Sequence, residues 1–446
     1  MLIAQLASMA MNVADTVIVG RFGTTDLAAV AVGSGIYISV VISLAAVTQA
    51  VSPTVAHHFG AGRLDQVAPE FQHGACLALM LALPGVSLLL APDPLLALTQ
   101  LSPEVEMKAR AYLRALACGL PAVLLYRAFH ATNHGLGRPR PLMYISLGAT
   151  AGHIPLAWSL VSGSLTGQPL GALGCGISTA TLNWASLGAG ALYATHSRFL
   201  SGLNLFRDWR RPQPQRLWQL VRLGLPMGFS SFVETTSFTF IALFVASLGA
   251  EVVAGHRIVA NLYALCYMLP LALASGTLVL VGQACGAQDA GRARATAHAG
   301  VATAAVCGAA LGTALWAWGD TLVAAYTADP DVRRVARTLL PYVMVFLAID
   351  GTHTVASFSL RGYKVTAIPM LIHVVCFWVV ALGGGWWLCF RTAAPMGAAG
   401  FWLMAVLGTL AAALLVLALL EFVARRAYAP MASADSAGVP GKSAPG

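Results

Sequence analysis

Long apolar runs alternate with short polar breaks along the whole chain. Most runs reach the ~20 residues that a helix needs to cross the hydrocarbon core of a bilayer. Because a backbone in lipid must satisfy its own hydrogen bonds, runs of this length predict helices and not strands. Twelve such helices are predicted, at 2–20, 28–57, 71–91, 108–134, 141–162, 171–195, 217–247, 253–284, 294–326, 335–360, 367–390 and 397–424.

The composition fits the same class of protein. Hydrophobic residues make up 58% of the 446 residues and charged residues only 10%. A soluble domain carries about 25% charged residues, so most of this surface is expected to face a lipid bilayer. The predicted fold class is therefore an all-α integral membrane protein. The net charge of +9 lies mainly in short loops, where membrane topology explains it, so we expect no nucleic-acid partner.

Basic residues are concentrated on one side of the predicted topology. They occupy the loops after the second, fourth, sixth, eighth and tenth helices and the C-terminal tail. The positive-inside rule places this side in the cytoplasm, so both termini are expected to be cytoplasmic. The residues concerned are Arg63, Arg138, Arg140, Arg198, Arg207, Arg210, Arg211, Arg216, Arg222, Arg292, Arg294, Arg361, Lys364, Arg425, Arg426 and Lys442.

The longest polar connection divides the chain into two predicted lobes. Six helices fall in an N-terminal lobe, 1–195, and six in a C-terminal lobe, 217–426. The segment between them, 196–216, is predicted to be a basic cytoplasmic linker. The Ser-, Ala-, Gly- and Pro-rich stretch 427–446 is predicted to be a disordered cytoplasmic tail.

The two halves resemble each other when the sequence is shifted by 226 residues. Gly23 then falls on Gly249, and Gly171 falls on Gly397. Because each half has an even number of helices, the repeat is expected to be parallel, with its axis along the membrane normal. We therefore predict two pseudo-symmetric six-helix bundles around a central cleft, an arrangement that suits alternating access.

Three acidic residues lie well inside predicted helices: Asp15, Glu234 and Asp350. A charged side chain at the bilayer centre costs about 2.5–3.5 kcal/mol on insertion scales, and such residues usually mark ion or substrate sites. Each acid is expected to hold a proton, a metal ion or a cationic substrate. The alternative is a structural hydrogen bond between helices. None of the three has an acidic counterpart in the repeat, which favours different tasks for the two lobes.

Other intramembrane polar residues are weaker candidates, and enzyme motifs are lacking. Asn12 lies one helical turn before Asp15, while His153 and Asn261 lie in the fifth and eighth predicted helices. The eight cysteines show no metal-ligand spacing. No phosphate-binding loop and no HExxH or GxSxG motif occurs. We therefore expect neither an enzyme nor a cofactor, and energy from an ion gradient.

Several motifs carry a family resemblance over nearly the whole chain. They include NVADTVIVGRFGTTDLAAVAVG at 12–33, LGAEVVAGHRIVANLYALCYMLPLALASGTLVLVGQACGAQD at 248–289 and SLRGYKVTAIPM at 359–370. On these motifs the chain resembles the multidrug and toxic compound extrusion (MATE) transporters, in particular their NorM-like members. The resemblance implies two six-helix lobes facing a central cleft. It also implies export of cationic, often aromatic drugs in exchange for Na⁺ or H⁺.

The resemblance assigns roles residue by residue. Asp15 and Thr16 match the first-helix motif that belongs to the first-lobe cavity. Glu234 and Asp350 match the acids of the second-lobe cation site, which makes them a candidate Na⁺ site. One departure concerns the fifth helix, where the family carries an N-I-P-L-N-like run and this chain begins the run with His153. A titratable imidazole there is expected to alter proton handling. The family pattern also implies further residues ahead of the first motif.

The predicted function is a secondary active multidrug efflux antiporter that exports organic cations in exchange for Na⁺ or H⁺. The expected setting is the bacterial inner membrane, and a monomer is expected. One alternative is a flippase for lipid-linked precursors from the same superfamily, which would need a cationic cavity; Arg127 is the residue that favours it. A remote alternative is an intramembrane lipid-modifying enzyme. That chemistry wants paired acids with a metal, whereas these acids lie on separate helices.

Overall fold

The computed structural model of the protein describes residues 11, 13–96, 101–206, 209 and 211–436, and over these ranges the chain is built from helices joined by short turns. The helices are α1 (13–20), α2 (Thr24–Thr48), α3 (Val51–Gly60), α4 (Val67–Leu90), α5 (Asp93–Leu96), α6 (Pro103–Gly135), α7 (Arg140–Ser162), α8 (Ala172–His196), α9 (Arg198–Leu203), α10 (Pro214–Ala246), α11 (Ala250–Gly286), α12 (Ala290–Ala317), α13 (Gly319–Tyr326), α14 (Pro330–Gly362), α15 (Ala367–His373), the π-helical segment π1 (Val374–Gly383), α16 (Gly384–Phe390) and α17 (Ala398–Ser436).

The membrane class predicted from the sequence is confirmed. Within the described ranges, nine helical stretches are long and apolar enough to cross a membrane. Two further helices, α7 and α8, coincide with predicted spans but are not among these nine. The first predicted helix lies mostly outside the described residues. The described helices thus agree broadly with the twelve that the apolar pattern predicts.

Three predicted helices differ from the observed ones in detail. The predicted helix 28–57 is interrupted between α2 and α3. Pro53 lies in the first turn of α3, where its missing N–H and fixed φ favour a new helix start over a continuation. The predicted helix 294–326 is interrupted at Trp318, and 367–390 contains π1. Helix α17 also continues to Ser436, into the segment that we predict to be a tail.

The chain divides into two compact units. The first comprises Met1–Phe59 and Arg63–Phe232, and the second comprises Gly60–Gly62 and Val233–Gly446. In the first unit α6 packs against α2, α4 and α8. In the second unit α14 packs against α11, α12 and α17. The predicted linker contains the short helix α9, and its cytoplasmic location stays a prediction.

Corresponding helices of the two halves begin in the same way. Helix α8 starts after Gly171, with φ 53°, and α17 starts after Gly397, with φ 58°. This left-handed conformation is strained for any residue with a Cβ atom, which explains glycine at both positions. The starts of α2 and α11, at residues 24 and 250, are separated by the same 226 residues. The helix starts therefore follow the repeat seen in the sequence.

Helix α14 is fixed at its start and along its length. The Asp329 side chain caps the helix by accepting hydrogen bonds from the backbone N–H groups of Asp331 and Val332, at 2.9 and 3.4 Å. Glycines allow α12 to approach closely. A Cβ atom at Gly308 or Gly312 would lie 2.6 or 2.5 Å from a backbone oxygen of α14. The helix that carries Asp350 is thus held backbone against backbone.

Candidate functional site

Asp350 lies in the interior of the second unit, midway along α14. Its side chain belongs to a residue only 2% exposed. The Tyr263 hydroxyl on α11 donates a hydrogen bond to Asp350 Oδ2 at 2.9 Å. The Nδ1 atom of His353, one helical turn further along α14, lies 3.8 Å from Oδ1. These are neutral or titratable partners, so the carboxyl group is not neutralised by a fixed cation such as Arg or Lys.

Glu234 lies on α10 in the same unit and is half-buried. It is close enough to Asp350 for the two carboxyl groups to interact electrostatically, and His353 and Arg361 also act on it. Within the described part of the chain, the Glu234 carboxylate makes no hydrogen bond and no ion pair. The acid that is partly accessible is therefore the one left available for a ligand.

The helix that carries Glu234 is attached to π1. The Ser237 hydroxyl donates to the Phe377 carbonyl at 3.0 Å. The Trp378 indole N–H donates to Thr236 Oγ1 at 3.1 Å. Two side chains within one turn of Glu234 are thereby paired with π1. π-Helical turns occur frequently at functional sites, and this one is next to the acid pair.

Asp15 lies in the first unit on α1 and is 8% exposed. Its Oδ1 atom lies 2.5 Å from Nε2 of His153, which is completely buried on α7. The other ring nitrogen, Nδ1, lies 3.1 Å from the Ser178 hydroxyl on α8. The buried Cys175 on α8 also lies near Asp15. Three helices thus contribute to one hydrogen-bonded chain.

The hydrogen-bonded series of Asp15, His153 and Ser178 can take up one proton without losing a hydrogen bond. With an ionised carboxylate, His153 donates from Nε2 and accepts at Nδ1 from Ser178. With one added proton, the imidazole can donate from both nitrogens, because a serine hydroxyl serves as donor or acceptor. The Asp15–His153 pair can therefore exist in two protonation states that share the same heavy-atom positions.

The other candidates from the sequence lie apart from these clusters. Thr16 is exposed on α1, next to Asp15 in the chain. Asn261 is exposed on α11 and makes no described contact with the Glu234 and Asp350 pair. Asn12 lies outside the described residues. The roles of all these residues, including the acids, stay predictions.

Sequence reasoning missed Ser178 and Tyr263. Tyr263 belongs to the motif at 248–289 that carries the family resemblance, and Ser178 lies in the segment GALGCGIST at 171–179. Nothing in the apolar pattern separates a tyrosine that packs from one that binds an acid. The signal that could have found them is a hydroxyl-bearing residue within these segments.

The fold and these clusters define an all-helical membrane protein with a buried acid in each of two helical units. A family model described as MatE matches residues 1–159 and 226–387. The chain belongs to the MatE family.

Named relatives match over nearly their whole length. A protein named "Probable multidrug resistance protein NorM" from Aromatoleum aromaticum is 54% identical over 429 residues, covering 95% of this chain and 92% of that protein. "Multidrug resistance protein NorM" from Vibrio cholerae is 32% identical over 423 residues, covering 93% and 92%.

Solved structures show the same fold. A crystal structure of MATE in the bent conformation superposes with a TM-score of 0.88 at 18% identity, covering 97% of this chain and 94% of that chain. An outward-facing multidrug resistance MATE family transporter of the MOP superfamily superposes with a TM-score of 0.86 at 18% identity, covering 96% and 94%.

Proposed function

We propose that the protein exports cationic, drug-like molecules across the bacterial inner membrane in exchange for protons. The names of the relatives support multidrug efflux, and the acids support cationic substrates. The protein acts as a transporter without a resident cofactor and not as an enzyme. It works as a monomer, and both its termini lie in the cytoplasm, as the distribution of basic residues indicates.

One observation carries the proposal: two acids on separate helices of the second unit interact, and one of them makes no hydrogen bond or ion pair with the described residues. Asp350 is buried beside Tyr263, while Glu234 is half-buried and free of hydrogen bonds within the described chain. Two interacting carboxylates in a site of low dielectric constant resist being ionised together unless cations balance them. Arg361 acts on Glu234 but forms no ion pair with either acid within the described chain. A coupling ion or the cationic group of a substrate supplies the remaining charge.

Competition between these two cations couples the fluxes. A ligand shifts a conformational equilibrium only by its differential affinity for the two states. If protons and substrate occupy the same acids in different conformations, each proton that enters helps to release a substrate. The chain then needs no further energy source.

Protons are favoured over Na⁺ because of the imidazole groups. His153 contacts Asp15, and His353 lies near Asp350. Histidine changes its charge near neutral pH and exchanges protons through both ring nitrogens. Sodium binding at Glu234, Asp350 and Tyr263, where three side chains offer oxygen ligands, is the competing outcome of the test.

The test is ethidium efflux from cells that lack their own efflux pumps, with a pH gradient or a sodium gradient imposed separately. Glu234→Gln and Asp350→Asn are expected to lower the efflux rate by about 10–100-fold, the usual range of a coupling free energy. Glu251→Gln and Asp320→Asn, at two exposed acids of the same unit, serve as matched controls.

Each outcome tests one part of the proposal, either the coupling ion or the residues of the site. Efflux that follows the pH gradient and requires both acids supports proton-coupled export. Efflux that follows only the sodium gradient replaces the proton by Na⁺ at the same acids. Wild-type rates in both acid variants would show that the site is elsewhere.

A further inference from the structure

Two histidines meet next to the acid pair of the second unit. His353 lies on α14 and His373 is the last residue of α15, immediately before π1. Their Nε2 atoms are 3.0 Å apart. The two residues are 1% and 2% exposed. The Phe377 ring packs edge-on against both imidazoles, with centroid distances of 5.6 and 5.5 Å. The pair is thus enclosed by the protein.

The short Nε2–Nε2 distance determines how protons are arranged. A nitrogen–nitrogen hydrogen bond requires a proton on one atom and a lone pair on the other. One ring must therefore carry its proton on Nε2, and the other must present a bare Nε2. A neutral imidazole with a bare Nε2 carries its proton on Nδ1. The two rings consequently hold opposite tautomers.

The pair is connected to the acid site in one direction. The Nδ1 atom of His353 lies 3.8 Å from Asp350 Oδ1, so a movement of about 1 Å brings the two into hydrogen-bond range. The Ser357 hydroxyl lies 3.4 Å from Nε2 of both histidines. Asp350, His353 and Ser357 occur at positions i, i+3 and i+7, which places them on one face of α14. Polar side chains that can hold or pass a proton therefore line one face of α14, starting from Asp350.

Packing alone does not account for the pair. Among the described residues, the Nδ1 atoms of both His353 and His373 are buried without a hydrogen-bond partner. A buried polar atom without a partner costs stability, whereas an apolar pair of similar volume would not. Proton passage, however, requires a ring nitrogen without a hydrogen-bond partner at each end of the pair. One of these nitrogens receives a proton and the other releases one.

We propose that His353 and His373 form a proton relay that loads and unloads Asp350, an inference that rests on the proposed proton-coupled export. In unloading, Asp350 Oδ1 transfers its proton to Nδ1 of His353. His353 passes its Nε2 proton to Nε2 of His373, which then gives its own Nδ1 proton to a water molecule that reaches this nitrogen during the transport cycle. One proton leaves the carboxyl group and one leaves the relay. Each imidazole ends neutral in the other tautomer, and loading runs the same steps in reverse.

His373 is the end of the relay that is remote from Asp350. His373 lies six residues from the start of α15 at Ala367, a distance of about 9 Å along the helix axis. The charged and titratable groups near the pair come from its own helix and from α10 and α11. They are Asp350, Arg361, Glu234, Tyr263 and Tyr267. Glu421, Arg294 and His298, on the other helices packed there, pair with one another.

The test measures how fast protons are released when ethidium binds to the purified transporter in detergent, with a pH-indicator dye and rapid mixing. In His353→Gln and His373→Gln the rate of release is expected to fall by at least about tenfold, because glutamine donates and accepts hydrogen bonds but does not carry a proton. The number of protons released and the ethidium Kd are expected to stay as in the wild type, since Asp350 and Glu234 remain. The pH dependence of the release rate is expected to flatten.

The control is His256→Gln, at another buried histidine of the same unit that accepts a hydrogen bond from the Trp402 indole at 3.2 Å. Its release rate is expected to match the wild type. A second measurement uses the unaltered protein, so that folding of a variant plays no part: release in D₂O is expected to be slower by at least about twofold.

Release at the wild-type rate in both histidine variants, or equal rates in H₂O and D₂O, would overturn the relay. Sodium release without protons would also overturn it while leaving cation-coupled export intact. A wild-type protein that binds ethidium but transports none in liposomes contradicts the proposed function, and this outcome is distinct from slow proton release in an active transporter.

Discussion

The carboxylate of Asp15 and the imidazole of His153 lie 2.5 Å apart, although 138 residues separate them in the chain. The Ser178 hydroxyl fixes the far side of the ring at 3.1 Å. A complete hydrogen-bonded chain from acid to hydroxyl is thereby buried in the first unit. The second unit holds a different arrangement, in which a tyrosine donates to the acid and a histidine pair lies beyond it.

We expect His153→Asn to keep transport, because an amide N–H can replace the imidazole as a donor to Asp15. His153→Leu leaves a buried carboxylate without this donor, which costs about 1–3 kcal/mol, and efflux is expected to fall by about tenfold or more. Rates of ethidium efflux measure both. Equal rates in the two variants would contradict a role of the hydrogen bond between His153 and Asp15 in transport.

Tyr263→Phe is expected to lower the rate of ethidium efflux by about tenfold. The Tyr263 hydroxyl donates to Asp350 at 2.9 Å, and phenylalanine leaves the buried acid without this donor. A hydrogen bond to a charged group contributes about 1.5–3 kcal/mol, and about 1.4 kcal/mol corresponds to a tenfold change in an equilibrium constant. Efflux from cells that lack their own pumps measures the effect.

The matched control for that variant is Tyr342→Phe, on α14 in the same unit. Its hydroxyl makes no hydrogen bond among the described residues, and its ring packs against the apolar core. The efflux rate of the control is expected to equal that of the wild type. An unchanged rate in Tyr263→Phe would show that the hydrogen bond to Asp350 does not contribute to transport.

Gly308→Ala is expected to destabilise the protein, whereas Gly276→Ala is expected to stabilise it or leave it unchanged. A Cβ atom at Gly308 would lie 2.6 Å from the Leu347 carbonyl oxygen, but one at Gly276 meets nothing within 4 Å. In a helix without such a clash, alanine is favoured over glycine by about 0.5–1 kcal/mol. Thermal unfolding in detergent measures both changes. Equal effects of the two substitutions would contradict the close approach of α12 to α14.

Asp329→Ala is expected to lower the free energy of unfolding by about 1 kcal/mol, since the side chain caps the start of α14. Asp331→Ala provides the control within the same helical turn. Asp331 pairs with Arg334 at an exposed position, and exposed ion pairs contribute about 0–1 kcal/mol. Unfolding in a graded denaturant compares the two. A larger loss in Asp331→Ala would contradict capping by Asp329.

Hydropathy and charge predicted most of the fold for a physical reason: a bilayer demands helices of a minimum length. The predicted helix 253–284 corresponds to Ala250–Gly286, and 217–247 corresponds to Pro214–Ala246. π1 could not be predicted in this way, because an apolar run is compatible with both α-helical and π-helical backbone hydrogen bonds. For the same reason, the apolar pattern does not predict the interruption at Trp318.

The acids of the candidate site were found from their cost in lipid, which depends on sequence position alone. The hydrogen-bond partners of these acids could not be predicted in the same way, because they depend on how the helices pack against one another. His153 was singled out as a departure from a family pattern, yet its contact with Asp15 follows only from the way α7 lies against α1. Ser178 and the meeting of His353 with His373 likewise depend on contacts between helices.

The glycine contact between α12 and α14 bears on which parts of the second unit move. Where the two backbones touch at Gly308 and Gly312, no side chain lies between the helices that could change rotamer and absorb a sliding motion. We therefore expect Asp350 to move with α12 and α14 as one rigid body. Rearrangements around the acids during a transport cycle are then expected in α10, which carries Glu234, and in the wider turns of π1 beside it.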